Sequence, residues 1–438
     1  MNERDSEIMS QSLSAYGYNE SLEIETADLV ILNTCSIRAK AEQKVMSLLG
    51  SLRKLKIQKP TMKICVAGCV AQQEGEKLLQ RMPHVDLIVG TQHIYTIGKL
   101  LEDIEISDNP IIETEMIEAF AIPQFIPETK TNSPEDSKPP AFRKFVTIMQ
   151  GCNNYCSYCI VPYTRGREVS RNINDIIQEV NALIKAGVKE VTLLGQNVNS
   201  YGRTNQVTES GSPCSFPELL YRVAEIPGLK RLRFTTSHPK DLSDDLINCF
   251  RDIDILCPQF HLPVQSGSDA ILKRMNRKYT VHDYLEKVEK LLNIRPDLAL
   301  TTDMIIGFPG ETDTDFQATM DLLEKTRFHG SFSFKYSDRP GTSSCGLPNK
   351  VDEELKAKRL AIFQGRQDEI SLERNRDYIG TMQAVMLETV RPGSFQGRTG
   401  TNHIVHIEGN TDLKPGDLLD VLIVHAGQHS LNGKLLSE

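Results

Sequence analysis

A series of six strand patterns begins at Phe142, and each of them except the last is followed by a helical pattern. The strand segments are KFVTIMQ, EVTLLGQ, RLRFTTS, QFHLPVQ, LALTTDMIIGF and SFSFKYS. Repeated strand and helix units favour parallel strands, and six such units suggest a partial barrel. In barrels of this kind the reactive groups come from the carboxyl ends of the strands. We therefore expect the functional site to line one mouth of the barrel.

The segments on either side predict two further domains, and the fold class is α/β. Residues 1–106 favour an open parallel sheet. Its strand candidates are 29–33, 62–67 and 85–89. Residues 107–140 are acidic and proline-rich, which indicates a linker. The core is expected to span 141–368, and residues 371–435 indicate a small all-β barrel made of short strands.

The length and composition of the chain limit its functions. A chain of 438 residues is too long for one ordinary core and should divide into several domains. No run approaches the roughly 20 apolar residues of a membrane span, and the polar N-terminus lacks a signal-peptide core, so we expect a cytoplasmic protein without membrane contact. The formal net charge of −8 argues against a generic nucleic-acid binder, so any RNA contact should use local basic patches.

The most specific chemical signal is the run CNNYCSYC just after the first barrel strand, which we call the three-cysteine loop. It places Cys152, Cys156 and Cys159 in a C-x3-C-x2-C spacing. The ten cysteines of the chain are too sparse for a disulfide scaffold, and clustered cysteines indicate metal binding or catalysis. Three thiolates at this spacing can bind an iron–sulfur cluster and leave one iron open to a small molecule. The alternative is a zinc knuckle, but structural zinc needs four ligands, and no fourth Cys or His follows nearby.

The three-cysteine loop in this setting resembles the radical S-adenosylmethionine superfamily. Four segments resemble its methylthiotransferases, and closely the MiaB tRNA branch: GCNNYCSYCIVPYTRGREVSR, GQNVNSYG, HLPVQSGS and DMIIGFPGET. The resemblance covers nearly the whole chain. It implies that the core is a partial (β/α)6 radical-SAM barrel and that the C-terminal barrel is a TRAM domain, an OB-like fold associated with RNA binding.

The resemblance also implies the cofactors. The three-cysteine loop would hold a [4Fe-4S] cluster whose open iron binds S-adenosyl-L-methionine, and reduction would cleave the sulfonium to a 5′-deoxyadenosyl radical. Gln196 and Asn197 stand at the end of the second strand, where related enzymes contact the methionine amino group. Gly307 and Glu311 lie in the glycine-rich loop that runs near the adenine, although such glycines are equally well explained as turn and close-packing positions. No catalytic side chain beyond these contacts is predicted.

Two cysteines of the N-terminal domain, Cys35 in LNTCSIR and Cys69 in VAGCVAQQ, resemble two of the three ligands of the family's auxiliary [4Fe-4S] cluster. Both follow predicted parallel strands, whose carboxyl edge gathers ligands. The family's third cysteine lies just before the segment that MNERDSE resembles and is not in this sequence, so we expect an N-terminal truncation and a labile auxiliary cluster. Cys65 is a less favoured substitute, because buried free cysteine is a common core residue. The remaining cysteines are interpreted as structural: Cys214, Cys249, Cys257 and Cys345.

In the family, a methyl group from one S-adenosylmethionine passes to a sulfur on the auxiliary cluster, and the radical from another activates carbon C2 of adenine. The resemblance therefore implies three partners: the anticodon stem-loop of a tRNA, an external electron donor and a sulfur source. We also expect the chain to be a monomer. Since the target atom lies on a base edge, the adenosine would have to be splayed out of its loop and inserted into the barrel.

Basic residues after the three-cysteine loop, in DAILKRMNRKYT and in the C-terminal barrel are candidates for RNA contacts. The candidates are Arg165, Arg167, Arg171, Lys273, Arg277 and Arg398. Each of them is also well explained as part of a solvated or salt-bridged surface.

Three hypotheses follow for the function. The first is methylthiolation of N6-isopentenyladenosine next to the anticodon. The second keeps the scaffold and changes the target to a ribosomal-protein aspartate, as in the RimO branch, or to a threonylcarbamoyl-adenosine. The third is a non-catalytic RNA-binding protein with a structural metal. The segments NNYCSYCIVPYTRGREVSR, TSHP and HLPVQSGS resemble the isopentenyl-adenosine branch best, so the first hypothesis is preferred.

Overall fold

The computed structural model describes residues 1–35, 39–107, 109–125, 141–204, 214–409 and 413–435. The chain divides into two compact units. The first unit comprises residues 1–131, 149–153 and 160–175, and the second comprises 132–148, 154–159 and 176–438. In the part of the chain that is described, no helix has both the length and the apolar character that crossing a bilayer requires.

In chain order the strands are β1 (Leu29–Thr34), β2 (Lys63–Gly68), β3 (Leu87–Val89), β4 (Ile111–Glu113), β5 (Arg143–Thr147), β6 (Met149–Gln150), β7 (Val169–Ser170), β8 (Glu190–Leu194), β9 (Arg231–Phe234), β10 (Gln259–His261), β11 (Ala299–Ile306), β12 (Gly330–Lys335), β13 (Met382–Arg391), β14 (Ser394–Thr399), β15 (Ile404–Glu408), β16 (Leu418–Ala426) and β17 (Ser430–Leu435). The α-helices are α1 (Asn2–Ser14), α2 (Ala39–Gln58), α3 (Cys69–Glu74), α4 (Glu76–Arg81), α5 (Ile97–Ser107), α6 (Val161–Thr164), α7 (Ile173–Lys185), α8 (Phe216–Ala224), α9 (Asp244–Asp252), α10 (Asp269–Arg274), α11 (Val281–Ile294), α12 (Asp313–Thr326) and α13 (Glu353–Arg376).

The first unit is built on a parallel sheet in the order β1-β2-β3-β4, which confirms the predicted open sheet. Both faces are covered by apolar side chains: one cluster includes Ile8 and Leu101, and the other includes Leu49 and Leu78. Coverage on both faces explains why β2 is apolar along nearly its whole length.

Strand β4 falls inside the stretch predicted to be a linker. It pairs in parallel with β3, so part of that stretch belongs to the sheet. The strand is only three residues long and follows Pro110, and a proline is typical of an edge position because it cannot donate to a ladder. The proline-rich part of the predicted linker at 126–140 lies outside the described residues.

The second unit contains two parallel sheets, β5-β8-β9 and β10-β11-β12. A parallel bridge joins Leu232 of β9 to Leu256, which lies just before β10, so the six strands follow one another in a single series, as the partial barrel predicts. Helices α11 and α12 begin at capping boxes in which Thr280 and Thr312 each exchange hydrogen bonds with the third helical residue.

The last five strands close into a barrel in the order β13-β14-β15-β17-β16, as predicted. Its interior is filled by apolar side chains such as Val385, Val405 and Val421. Within the second unit, two buried arginines of β9 bond to barrel carbonyls: Arg231 donates to Arg398 O and Ala384 O at 2.8 and 2.7 Å, and Arg233 to Gly400 O and Thr399 O at 2.8 and 2.9 Å. These four bonds fix the barrel against the core.

Candidate active site

The carboxyl edge of the first unit's sheet brings Cys35 and Cys69 to adjacent positions. Their preceding residues, Thr34 and Gly68, are register partners of β1 and β2. The Thr34 hydroxyl donates to Ala67 O at 2.7 Å and accepts from the N–H of Val70 at 3.0 Å, which ties the end of β1 to the start of α3. Gly68 has a φ of 93°, and a Cβ there would lie 2.6 Å from Thr34 O. Glycine is therefore required for the two strand ends to approach this closely.

Cys65 does not share this edge. It lies within β2, fully buried in the apolar cluster that also contains Ile8 and Leu87. Burial raises the pKa of the Cys65 thiol far above its usual range, so the thiolate that a metal needs is strongly disfavoured. The structure supports the interpretation of Cys65 as a core residue.

The arginines after the three-cysteine loop differ in exposure. Arg165 is 4% exposed and forms an ion pair with Asp5 at 2.6 Å, and Arg171 is 2% exposed and donates to Phe125 O at 3.4 Å. A buried guanidinium bonded inside the protein presents no surface to a phosphate, so the structure does not support the predicted RNA contacts of Arg165 and Arg171. Arg167, in contrast, is exposed and remains a candidate for a contact with RNA.

Cys152 follows Gly151 in the first unit. Gly151 has a φ of 80°, and a Cβ there would lie 2.1 Å from Arg167 O, so only glycine fits beside this strand pair of β6 and β7. The N–H of Cys152 donates to Gly166 O at 3.3 Å. These contacts fix the backbone at the start of the three-cysteine loop.

Cys156 belongs to the second unit, where it is 8% exposed and receives two donors. Arg277 Nη1 lies 3.4 Å from its sulfur, and His238 Nε2 lies 3.8 Å from it. His238 Nδ1 accepts from the N–H of Lys240, so the ring proton is on Nε2 and points toward the sulfur. Burial first, and then the charges of Arg277 and Lys240, hold the pKa of His238 far below its usual range. The neutral imidazole and the guanidinium are both suited to stabilising a thiolate.

Arg277 is itself buried, with 4% of its surface exposed. Nη2 donates to Pro263 O at 2.6 Å, and Nε donates to the Tyr279 hydroxyl at 2.9 Å. Burial by itself lowers the pKa of Arg277, but Tyr158, Tyr279 and Cys156 outweigh this effect and raise it. The predicted RNA contact of Arg277 is not supported, because its donors face the sulfur of Cys156 and internal oxygens.

Within the described residues, no three side chains of His, Cys, Asp or Glu are already gathered around one point as metal ligands would be. The three-cysteine loop stays a predicted ligand set, which rests on its spacing and on the donors that surround Cys156. Cys159 follows in the same loop, and its N–H donates to Cys156 O at 2.9 Å. An Arg beside a thiol is the setting expected for an anionic metal–thiolate group.

Gln196 and Asn197 follow β8 at the mouth of the partial barrel. Gln196 is half-buried, whereas Asn197 is buried and its Nδ2 donates to Asp241 Oδ2 at 2.7 Å. Asp241 also accepts from Arg203 Nη1 at 2.5 Å. Burial alone would raise the pKa of Asp241, but the bonds from Asn197 and Arg203 lower it, so Asp241 stays ionised.

Three buried oxygens near the ends of β8 and β9 have no hydrogen-bond partner among the described residues: Asn197 Oδ1, Asn199 Oδ1 and Ser237 Oγ. Buried polar atoms are almost always bonded, so a group of unpaired ones marks the place of a polar ligand. The oxygens fit the ammonium group of a methionine moiety, which is a hydrogen-bond donor. The sequence did not predict the roles of Asp241 and Asn199 or the contact of Arg277 with Cys156. Asn199 and Asp241 at least lie in the segments that follow β8 and β9, whereas Arg277 follows helix α10 and gave no such signal.

Gly307 and Glu311 are hydrogen-bonded to each other within the glycine-rich loop. Glu311 is buried; its Oε2 accepts from the N–H of Gly307 at 2.9 Å, and its Oε1 accepts from Arg359 Nη1 at 2.8 Å. Burial raises the pKa of Glu311, against the effect of those donors. Gly307 has a φ of 73°, and a Cβ there would lie 2.3 Å from Lys356 Cγ. The carboxylate is thus engaged inside the loop, and the cofactor contact of these two residues stays a prediction.

Two basic candidates remain in the second unit. Lys273 on α10 is exposed. Arg398 in the C-terminal barrel is half-buried, with Nε donating to Glu388 at 2.9 Å and Nη1 donating to Asn402 O at 3.2 Å. Lys273 therefore presents a free surface to solvent, whereas the charge of Arg398 is already balanced by a carboxylate. Neither contact with RNA is tested by this geometry.

Comparison with protein families gives two matches. Residues 146–323 match the Radical SAM superfamily, and residues 1–90 match a family described as "Uncharacterized protein family UPF0004". The first match runs from the end of β5 through the three-cysteine loop and includes the strands from β8 to β11, and the second match includes Cys35 and Cys69.

Individual proteins are similar over the whole chain. A protein of Desulfotalea psychrophila is 61% identical over 438 residues, which cover 100% of this chain and 97% of the relative. A protein of Syntrophobacter fumaroxidans is 47% identical, with 100% and 94% covered, and one of Yersinia pestis is 46% identical, with 100% and 90% covered. All three are named tRNA-2-methylthio-N(6)-dimethylallyladenosine synthase.

Among solved structures, the radical S-adenosylmethionine methyltransferase TsrM from Kitasatospora setae is similar with a TM-score of 0.55 and 13% sequence identity. The alignment covers 78% of this chain and 71% of TsrM. At this identity the similarity concerns the fold alone, which agrees with the partial barrel described above.

Proposed function

We propose that the chain has the function of its family. The chain belongs to the family of tRNA-2-methylthio-N(6)-dimethylallyladenosine synthases, which are radical S-adenosylmethionine enzymes. It is a tRNA methylthiotransferase that acts at C2 of N6-isopentenyladenosine next to the anticodon, and the product is 2-methylthio-N6-isopentenyladenosine. The observation that carries this conclusion is 61% identity across 100% of the chain to a relative of that name. The alternatives, a ribosomal-protein aspartate or a threonylcarbamoyl-adenosine, are not favoured, because the three relatives described above all carry the isopentenyl-type name.

The family implies one [4Fe-4S] cluster and S-adenosylmethionine. We assign Cys152, Cys156 and Cys159 as the residues that would hold the cluster. When bound, the cluster supplies the electron for reductive cleavage of S-adenosylmethionine. The chain's own contribution is to surround the sulfur of Cys156 with two donors, Arg277 Nη1 at 3.4 Å and His238 Nε2 at 3.8 Å.

The mouth of the partial barrel would bind the methionine part of S-adenosylmethionine. Asp241 fixes the side chain of Asn197 by accepting from its Nδ2. The Oδ1 of Asn197 is therefore an acceptor with a fixed position. Asn199 and Ser237 offer further buried oxygens, and their burial excludes water that would compete for the same donors. A site whose acceptors are fixed in advance binds with less loss of side-chain freedom.

Cys35 and Cys69 are assigned to a second, auxiliary [4Fe-4S] cluster at the edge of the first unit's sheet. Support comes from their adjacent positions after register partners of β1 and β2.

The substrate would be the anticodon stem-loop of tRNA, so the reaction would take place in the cytoplasm. The closed C-terminal barrel would serve as a TRAM-like RNA-binding domain. An external electron donor and a sulfur source complete the set of partners, and the chain would act as a monomer.

The test is mass spectrometry of tRNA nucleosides from cells that lack this protein and from the same cells with a copy restored. We expect 2-methylthio-N6-isopentenyladenosine to be absent from the cells that lack the protein, where N6-isopentenyladenosine accumulates. The methylthiolated nucleoside should return when the copy is restored. Restoration with Cys156→Ala should fail, whereas restoration with Cys249→Ala, a buried cysteine of α9 outside the site, should succeed. An unchanged nucleoside profile would overturn the tRNA substrate, and mass spectrometry of ribosomal proteins from the same cells would then test the aspartate alternative.

A further inference from the structure

The first unit contains a buried cation beside a proposed cluster ligand. Arg165 lies at the end of α6, and its side chain is 4% exposed. Nη2 of Arg165 contacts Asp5 Oδ2 at 2.6 Å, and the side chain of Asp5 is 5% exposed. Asp5 belongs to α1, so this ion pair links two segments that are 160 residues apart in the sequence.

The same guanidinium reaches Cys69. Burial by itself lowers the pKa of Arg165, but the Asp5 carboxylate and a hydrogen-bond interaction with the Cys69 side chain raise it. The other terminal nitrogen, Nη1, is buried and has no well-formed hydrogen bond among the described residues. Thus Asp5 accepts from Nη2, while Nη1 is a buried donor of a guanidinium that also interacts with Cys69.

An unpaired buried N–H of a charged group is strongly unfavourable, which indicates that an acceptor completes this site. Cys69, with which the guanidinium interacts, offers a sulfur as the acceptor. Cys69 itself lies at the carboxyl edge of the sheet, one residue after Gly68, whose register partner Thr34 precedes Cys35. A cluster held there would carry negative charge on its thiolates and sulfides, and it would accept the donor that the protein leaves unpaired.

We propose that Arg165 is a positioning residue for the auxiliary cluster: its guanidinium, held in place by Asp5, donates a hydrogen bond to the sulfur atoms at Cys69. This inference rests on the assignment of Cys35 and Cys69 under the proposed function. Outer hydrogen bonds of this kind orient a ligand and commonly change metal affinity about 10- to 100-fold. Hydrogen bonds and positive charge near the sulfurs also raise the reduction potential of an iron–sulfur cluster.

The experiment uses the full chain with Cys152, Cys156 and Cys159 changed to Ala, so that iron bound by this parent reports on the auxiliary site alone. The parent, Arg165→Gln and Arg167→Gln are loaded anaerobically with iron and sulfide. We measure the rate of iron loss to a chelator and the midpoint potential in a redox titration followed by electron paramagnetic resonance. Arg167 is the matched control, because it lies two residues away and is exposed.

We expect Arg165→Gln to lose iron about 10-fold faster than the parent and to have a lower midpoint potential, with Arg167→Gln unchanged. Arg165→Lys, which keeps the charge and has fewer donors, should fall between them. If Arg165→Gln matches Arg167→Gln in both measurements, the proposal is wrong. A parent without bound iron also overturns it, because there is then no cluster for Arg165 to contact.

Two further measurements separate the possible failures. Arg165→Gln leaves Asp5 buried without a partner, so the double variant Arg165→Gln/Asp5→Asn, which removes both charges, is measured beside it, and circular dichroism checks that each variant is folded. The proposed function is tested separately by formation of 5′-deoxyadenosine in the chain with all cysteines intact. Cleavage of S-adenosylmethionine together with an unchanged auxiliary site would reject the role of Arg165 and leave the proposed function standing.

Discussion

Each of the two units buries an arginine beside a cysteine that we assign to a cluster, and the two arginines differ in their counter-charge. Arg165 in the first unit is matched by the carboxylate of Asp5. Arg277 in the second unit donates to Pro263 O, to the Tyr279 hydroxyl and to the sulfur of Cys156, and among the described residues no carboxylate forms an ion pair with it.

This difference changes what each arginine can contribute to a bound group. The Arg165–Asp5 pair is neutral as a whole, so it offers a directed N–H and little net charge. Arg277 keeps a full positive charge in a buried position, which is unfavourable until an anion arrives. The surroundings of Cys156 are thus suited to a more strongly anionic group than those of Cys69.

The largest effect is expected for a substitution that leaves Arg165 without a carboxylate partner, as Arg277 is. Asp5→Asn leaves Arg165 as a buried cation without a carboxylate, and removing one partner of a buried ion pair costs about 3–5 kcal/mol. Urea unfolding should show this loss in the free energy of unfolding. Glu3→Gln, an exposed carboxylate on the same helix, should change it by less than about 0.5 kcal/mol. Equal effects of the two substitutions would show that the ion pair does not stabilise the protein.

The second unit also buries two imidazoles, His329 and His403, whose rings pack together. Burial is the largest cause that lowers the pKa of His329 to about 3 and that of His403 to about 4. In the unfolded chain both rings gain a proton below about pH 6.5, whereas in the folded protein they stay neutral, so stability falls as the pH is lowered.

Between pH 7 and pH 5 each ring should therefore lower the free energy of unfolding by about 2 kcal/mol. Urea titrations at the two pH values should measure this loss, and the double variant His329→Gln/His403→Gln should lose much less on acidification. His282→Gln, at a position that is 80% exposed, should keep the full pH dependence. If the double variant keeps it as well, the buried rings are not its source.

Arg277→Gln should weaken iron binding at the three-cysteine loop about 10- to 100-fold, because Cys156 loses its charged donor. Formation of 5′-deoxyadenosine under reducing conditions should fall with it. Lys278→Gln, an exposed neighbour, should leave both quantities unchanged. A variant Arg277→Gln with normal iron content and normal cleavage would mean that the uncompensated charge is not needed, and the contrast between the two arginines would lose its functional meaning.

The strand and helix patterns were sufficient to predict the architecture, because each parallel strand is covered by helices and therefore has an apolar run that is visible in the sequence. Strand β4 was missed because it is three residues long and lies in proline-rich sequence. The positions of Cys35 and Cys69 could be predicted from the strand ends, since parallel neighbours end at the same edge.

The arginines could not be placed in this way. Arg165, Arg171 and Arg277 have the same sequence signature as surface arginines, and their burial depends on partners far along the chain, such as Asp5 for Arg165. A single sequence gives no sign of such a pairing. Likewise, Asp241 orients Asn197 from the turn that follows the next strand, and only the pairing of β8 with β9 relates the two segments.

The smallest effect is expected for tRNA binding, where the exposed Arg167 is compared with the buried Arg165. Arg167 is exposed, and if it contacts a phosphate, Arg167→Gln should weaken tRNA binding a few-fold and lower the slope of log affinity against log salt concentration by about 1. Binding measured at several salt concentrations gives this slope. Arg165→Gln should leave the slope unchanged, because a guanidinium that is 4% exposed and bonded to Asp5 displaces no counterion from RNA. A reduced slope for Arg165→Gln, with none for Arg167→Gln, would reverse our assignment and make the buried arginine the RNA contact.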